Sequence, residues 1–478
     1  MSTDTSSSST PPPKVVHLTA EERVALGKAA REKAPRTSHA TLGTGEERDA
    51  VALLEEQGPT RLQELLPIRY GRMLVSAFTF FRGAANVMAF DLAPAPRSGL
   101  TVQLCGDAHL SNFGGFASPE RVFVFDLNDF DETLPGPFEW DVKRLAASFE
   151  VAGRDRGFTD AERQAAVLAC VRSYREAMRN FASQTNLDIW YARLDSAALE
   201  AEFRAQKAGK EVKALSRAEA KARTKDSMKA FTRLTEEVDG KRRIVSDPPL
   251  MTALRDLEGD LDKDAFEDEI LNLVRIYRRS LQGDRRRLLE SYRYVDLARK
   301  VVGVGSVGTR CWVILLVGRD DSDPLFLQVK EASQSVLEPM LGKSKFANRG
   351  QRIVEGQRLM QASSDIFLGW IRNKHTIDGV AERDFYVRQL WDWKASVDLD
   401  LIRPRGLQLY ANACGWTLAR AHARSGDRIA IAAYLGKTDV FDRAVADFAR
   451  AYADINERDH QALVNAAREG RFAVQEGL

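Results

Sequence analysis

Two short apolar runs, TVQLCGD (101–107) and RVFVFDLND (121–129), end directly in carboxylates. Runs rich in Val, Leu and Phe read as buried strands, so each carries acids from a core element to its rim. If the two rims meet, Asp107 and Asn112 of GDAHLSNFG (106–114) stand beside Asp126, Asp129 and Asp131 of FDLNDFDE (125–132). Carboxylates gathered in an apolar setting repel one another unless a cation is shared. Hard oxygen ligands of this kind suit Mg²⁺, which takes one or two carboxylates together with substrate phosphate oxygens. The spacing predicts a cation-holding acidic corner; the plainer alternative is that Asp and Asn at strand ends only shape turns.

The rest of the chain is large enough to build a substantial body around such a corner. Its 478 residues correspond to about three domains, or one two-part body with insertions. Hydrophobic residues at 44% and charged residues at 29% are ordinary globular usage. The 70 basic and 68 acidic residues leave a net charge of +2, which excludes a molecule-wide binder of phosphate backbones. Cys105, Cys170, Cys311 and Cys414 are too scattered for a C-x-x-C site and predict reduced, buried thiols. The start MSTDTSSSSTPPPK lacks the basic and apolar segments of a signal peptide, and no apolar run is long enough to span a bilayer. The expectation is a cytoplasmic protein with no membrane partner.

Residues 1–16, rich in Ser, Thr and Pro, predict a disordered tail. Helical spacing runs from about Glu46 to Leu66, where Pro67 is expected to close the pattern. From Thr159 to about Leu289 the chain reads as helical and charged. Within it, Arg204–Arg243 carries 13 basic and 6 acidic residues, net +7. This stretch predicts a solvated, projecting helix, and it is the one place suited to nucleic acid or another polyanion. Residues 299–332 form two β-rich runs around a polar turn, 347–365 a helix and 385–393 a strand. After Pro404 the pattern is helical to near the end, with GWTLARAHARSGD (415–427) finishing on a glycine stop.

GVGSVG (303–308) is followed by TRCWVILLVG, a strand-like run. A dinucleotide fold needs a helix to open at such glycines, and a Walker loop needs Gly-Lys-Ser/Thr, so both are excluded. Glycines between two strands instead leave backbone N–H groups free to approach phosphate. The paired strand FLQVKEA holds Lys330 in an apolar setting, and a lysine turned inward requires an ionic partner. Glu355 in the following helix is the expected partner, with Glu331 and Glu338 as rivals; the alternative is Lys330 pointing outward from an edge strand.

These motifs resemble the protein-kinase-like superfamily, especially its aminoglycoside and small-molecule phosphotransferase branch. GDAHLSN is similar to that branch's catalytic loop, NDFDE to its metal segment, and GVGSVG with QVK to its glycine lid and phosphate-binding lysine. The full set, with FFRG upstream, also resembles an uncharacterised bacterial domain-of-unknown-function family, from about residue 45 to 470. The order departs from ordinary kinases, because Asp107 precedes Gly303 by about 200 positions in this sequence. A circular permutation reconciles the two, and LARAHARSGD (418–427) is similar to the segment that ordinarily precedes the catalytic loop. A second departure is Cys105 in place of a usual histidine.

The resemblance implies an α+β, two-lobed, circularly permuted kinase-like fold: a mostly helical larger lobe over 17–150, 151–295 and 401–478, and a small antiparallel-sheet nucleotide lobe over 296–400. It implies ATP and Mg as cofactors. Asp107 becomes the catalytic base and Asn112 a metal ligand, with Asp129 the leading Mg²⁺ ligand and Asp126 its rival. Asp141 supports the catalytic loop. Lys330 binds phosphates and Glu355 pairs with it, while Gly303, Gly305 and Gly308 cover the phosphates. His109 shapes the loop, Trp391 and Trp393 pack the core, and Arg69, Arg72 and Arg82 are surface or ion-paired, with an anionic substrate as their alternative. The implied activity is phosphotransfer to an unidentified small-molecule hydroxyl. The competing readings are a metal-dependent phosphohydrolase, a nucleotidyltransferase and a non-catalytic nucleotide-binding regulator.

Overall fold

The computed structural model describes residues 16–43, 48–257, 263–373, 382–390 and 392–477; the expected disordered tail lies, apart from Val16, outside the described residues. Helix makes up 54% and strand 16%, and the sheets are antiparallel, so the α+β class holds. The chain opens with α1 (Ala20–Lys33), α2 (Ala50–Glu55), α3 (Leu66–Leu74), α4 (Ala77–Gly83) and α5 (Ala85–Leu92). Pro67 does not close a helix. It stands in the first turn of α3, where its missing N–H has no partner to lose and its fixed φ suits the helix.

Strands β1 (Thr101–Leu104), β2 (Phe113–Ala117), β3 (Phe123–Leu127) and β4 (Leu134–Pro137) form two antiparallel pairs, β1 with β4 and β2 with β3. Helices α6 (Phe138–Asp155) and α7 (Asp160–Ala182) follow. The charged middle is less regular than expected. It contains α8 (Asn186–Tyr191), β5 (Leu194–Asp195), α9 (Ser196–Ala205), α10 (Gly209–Arg223), α11 (Ser227–Leu234) and a hairpin of β6 (Thr235–Val238) and β7 (Lys241–Ile244). The basic stretch 204–243 is therefore not one projecting helix. Lys207 adopts a left-handed φ of 54° between α9 and α10, and Asp226 caps a fresh start at α11.

The largest sheet is built from β8 (Met251–Ala253), β9 (Arg293–Lys300), β10 (Cys311–Val317), β11 (Pro324–Ala332), β12 (Gly369–Asn373) and β13 (Arg383–Gln389), in the order β12-β13-β11-β10-β9-β8. It thus begins well before residue 296. Helices α12 (Lys263–Tyr277) and α13 (Gly283–Leu289) precede β9, and α14 (Glu338–Leu341) and α15 (Arg349–Met360) lie between β11 and β12. Period-two alternation sorts the sheet's side chains. Ile314, Leu316, Leu327 and Val329 pack with Ile270 and Leu273 of α12. Val313, Leu315, Val317 and Phe326 pack with Phe231 and Leu234 of α11. Covering both faces explains why CWVILLV is apolar without interruption.

The same alternation, with the pairing of Lys330 to Tyr386 and of Gln328 to Arg388, puts four polar side chains on the α11-side face. The chain closes with α16 (Pro404–Ser425), α17 (Arg428–Leu435) and α18 (Val440–Arg468), and the main core runs through α6, α7, α16 and α18. All four cysteines are free and buried. Among the described residues no helix is long and apolar enough to cross a membrane.

Candidate functional site

The loop leaving β1 is held from beneath. Asp141, in the first turn of α6, accepts the N–H groups of Cys105 (2.8 Å) and Gly106 (3.1 Å). Gly106 has φ +83°, and a Cβ there would come within 2.4 Å of the Glu132 carbonyl oxygen, so glycine is required on both counts. His422, near the end of α16, places Nε2 3.2 Å from Asp141 and is itself met by the Tyr174 hydroxyl at 2.9 Å. The Tyr410 hydroxyl, also on α16, donates to the carbonyls of Leu110 (2.6 Å) and Phe113 (3.1 Å). Asp141 thus takes the supporting place expected of it. Cys105 is buried, and burial together with Asp141 drives its thiol well above the ordinary range, so it is no nucleophile.

Asp107 projects from this loop and accepts the Nε of Arg144 at 2.6 Å. Burial raises its pKa against the opposing pull of Arg144 and Arg82. The Asn112 side-chain amide donates to the Asp107 carbonyl at 2.9 Å, and the Asn128 N–H donates to the Asn112 carbonyl at 3.0 Å. The two acid-bearing loops are therefore tied together, through the Asn112 backbone and side chain, and the two rims meet. His109 is buried, lies 3.6 Å from Asp107, and is held neutral by burial and by Arg82 and Arg144, consistent with loop shaping.

Lys330 points inward from β11. Its ammonium lies 2.7 Å from Asp131, and the Tyr386 hydroxyl donates to the other oxygen of that carboxylate at 2.6 Å. Burial pushes the Asp131 carboxyl up, but Lys330 and Tyr386 outweigh it and the pKa ends below the usual value. The neighbouring Asp129 is shifted up, first by burial and then by Asp131. A crowded pair of acids has thus separated into one partnered by an ammonium and one that faces open space.

That space is a cavity of about 1080 Å³, walled by Arg82, Asn112, Asp129, Gly303 and Lys330 among others. Its walls come from α4, from the loops after β1 and β3, from the glycine loop and from the sheet. The acidic corner and the glycine loop with its lysine therefore share one cleft. Asp107 is not in the cavity wall itself; Arg82, which is, feels the charges of both Asp107 and Asp129.

Several expected assignments change. Glu355 does not hold Lys330: it is part-exposed on α15, with Arg358 at 3.5 Å as its partner. Glu331 is engaged by Arg310 and Arg383. From α15 it is Arg352 that turns inward, donating to the carbonyls of Thr133 (2.7 Å) and Asp131 (2.8 Å) and so clamping the acidic loop. Replacing Glu355 by alanine is expected to change stability by less than about 0.5 kcal/mol, the surface norm, as read by urea denaturation.

Asp126 is not a ligand either. It is buried in an ion pair with Arg420 and accepts the N–H groups of Ala362 (2.8 Å) and Leu127 (2.9 Å). Of the glycines, Gly303 (φ +69°) reaches the cavity, with its carbonyl held by Arg72 at 2.6 Å. Gly305 packs on the Arg82 backbone, and Gly308 (φ +88°) packs on Arg61 while its carbonyl accepts from Leu62 at 2.8 Å. The loop is seated on α3 and α4 and is not a free lid.

Arg69 is fully buried and bonded to Leu54 and Gln57, not at the surface, whereas Arg72 and Arg82 line the cavity. Trp393 lies beyond β13, stacked between Arg121 (4.3 Å) and Arg223 (4.6 Å); Trp391 lies outside the described residues. Sequence reasoning missed Arg144, Arg352, Tyr386, Arg388 and Lys394, and passed over Asp131 as the counterion of Lys330. Among the described residues no three or more His, Cys, Asp or Glu side chains are placed together to hold a metal ion.

The stretch that supplies both walls of this cleft matches a family model over residues 61–466, for a group described as uncharacterised protein conserved in bacteria (DUF2252). The chain belongs to that family. No curated protein and no solved structure matches it. Within this DUF2252 chain the matched span takes in the acidic loops, the glycine loop, Lys330 and the α16 segment that braces β1.

Proposed function

We propose that the protein is an ATP- and Mg²⁺-dependent phosphotransferase acting on a small-molecule hydroxyl, with kinase-like parts in permuted order. The observation that carries this reading is the buried Lys330–Asp131 pair of 2.7 Å, set on the wall of a cavity that also holds Asp129, Asn112 and Gly303. An ammonium, a carboxylate and a glycine turn around one cleft are the groups a polyphosphate needs. The permutation is supported by the joint between α16 and β1, where Ser425 Oγ accepts the Gln103 N–H at 3.2 Å. The chain's late helix thus abuts the strand that feeds the Asp107 loop.

In this reading Lys330 binds donor phosphates and Asp131 keeps it charged and fixed. Asp107, raised by burial and oriented by Arg144, accepts the proton of the attacking hydroxyl. Asp129 and Asn112 suit Mg²⁺, because one carboxylate and one amide oxygen leave places for phosphate oxygens and water. When bound, that ion would neutralise charge on the phosphate oxygens. A two-cation phosphohydrolase is less well served, since His109 is buried beneath the loop and among the described residues no group of three or more His, Cys, Asp or Glu side chains is placed to hold a metal ion.

The first test is thermal unfolding with ATP, Mg²⁺ and both. Together they are expected to stabilise the protein by about 2.7 kcal/mol in total at a hundredfold excess over Kd, more than the two separate shifts added. A melting temperature unmoved by saturating ATP with Mg²⁺ would remove the proposal.

A further inference from the structure

The sheet face that carries Lys330 gathers more positive charge than one lysine–carboxylate pair explains. Alternation along β9, β11 and β13 puts Lys300, Lys330 and Arg388 on the same face, and all three line the cavity. Lys330 is answered by Asp131, and Arg388 donates to Gln328 Oε1 (3.1 Å) and the Asn128 carbonyl (3.2 Å). A fourth cation, Lys394, enters from the segment that runs on from β13. It lies where the main cavity adjoins a side pocket of about 100 Å³, on the wall the two share with Asn128, Arg388 and Leu390.

Lys394 has no hydrogen-bond or ion-pair partner among the described residues. Its side chain is exposed to solvent where the two pockets meet, and partial desolvation at the cavity wall, with Arg388, Lys330 and Lys300 adding to it, brings its pKa down to about 8 against the pull of Asp129. The side pocket adds Asp365 and Asp392, but these are already engaged. Asp365 accepts from the Phe367 and Gln389 N–H groups, and Asp392 is paired with Arg121 at 2.7 Å. A solvated ammonium on a cavity wall beside Arg388, Lys330 and Lys300, with no side-chain partner of its own among the described residues, is free to meet an anion that enters and is drawn to it by the combined field of the wall.

We propose that Lys394 contacts the phosphate chain of the donor, completing with Lys300, Lys330 and Arg388 a four-cation wall suited to a triphosphate. This rests on the phosphotransferase reading and adds to it a contact from outside the glycine loop and the β11 lysine. A polyphosphate is the ligand class because its charges are strung along a chain, as the cations are spread along the wall. The chain could belong to a nucleotide or to inorganic tripolyphosphate, and the two are separable by experiment.

Lys394→Met and Lys394→Arg in the full chain, titrated calorimetrically with MgATP and with inorganic tripolyphosphate, decide the matter. Lys394→Met is expected to bind both at least about tenfold more weakly, the scale of one charge-assisted hydrogen bond, and Lys394→Arg to recover most of that loss. Without ligand, Lys394→Met is expected to melt at or slightly above the wild-type temperature, because a repelled cation has been removed. Wild-type binding retained in full by Lys394→Met overturns the inference and leaves the nucleotide reading standing. Tripolyphosphate bound through Lys394 with no binding of MgATP keeps the inference and overturns the nucleotide reading. Failure of the wild-type protein to bind either probe overturns both.

Discussion

Asp131→Ala is expected to lower unfolding free energy by about 3 kcal/mol and to abolish the MgATP-dependent thermal shift. Removing one partner of a buried ion pair leaves the other charge uncompensated, at a cost of about 3–5 kcal/mol. The lower end applies because Asp129 is near enough to raise the pKa of Lys330. Tyr386 also loses its acceptor, since its hydroxyl donates to the same carboxylate at 2.6 Å. Structure and function separate in the double variant Lys330→Met with Asp131→Leu. Apolar replacement of a buried pair is often neutral or stabilising, so stability is expected to recover while the nucleotide shift stays absent. A double variant that regained the shift would show that the pair only holds the sheet to the acidic loop.

That pair also marks the boundary of what the sequence discloses. That a lysine turned inward needs a counterion is readable from FLQVKEA, but whether Lys330 turns inward is not, because a strand buried on both faces carries no alternation to mark it. The identity of the counterion was not readable, because it comes from an aperiodic loop and loop geometry leaves no spacing signal. Glu355 is a different case. Ile353 and Met360 of α15 are buried, and a residue two positions beyond Ile353 lies about 200° away around the helix. The helical phase that takes Glu355 off the inward face is therefore present in the sequence, and the expectation of Glu355 rests only on its lying in the helix after the strand.

Asp126 and Asp129 could not be separated for a physical reason. All five residues of β3 are buried, so no polar face marks the register, and a one-residue slip would exchange the faces. What settles it is Arg420 on α16, almost 300 positions away in sequence, whose guanidinium claims Asp126. The glycine loop was legible as a strand-to-strand turn because β-branched and aromatic residues follow it. Its seating on Arg61, Leu62 and Arg72 was not, since those contacts join segments more than 200 residues apart. The basic stretch misled through its even spacing: helical periodicity continues across Lys207 and Asp226 although the backbone turns at both.

Asp107→Asn is expected to reduce turnover by about 10²–10⁴-fold, the range of a general base, while MgATP binding stays within about twofold of wild type. The separation follows from position. Asp129, Lys330 and Gly303 line the cavity, whereas Asp107, whose side chain is 22% exposed, is not part of that lining and is linked to it through Asn112 and Arg82. Asparagine keeps the shape and can still accept from Arg144, so the loop should remain in place, but it cannot take a proton. Arg144 would still donate to the Phe81 carbonyl at 3.0 Å, which limits the loss of stability. The measurement is ADP formation from MgATP with a bacterial metabolite extract as the source of acceptors, alongside calorimetric titration of MgATP. Equal turnover in Asp107→Asn and wild type would place the base elsewhere. Equal loss of binding and turnover would make Asp107 a support for the phosphate site and not the group that receives the hydroxyl proton.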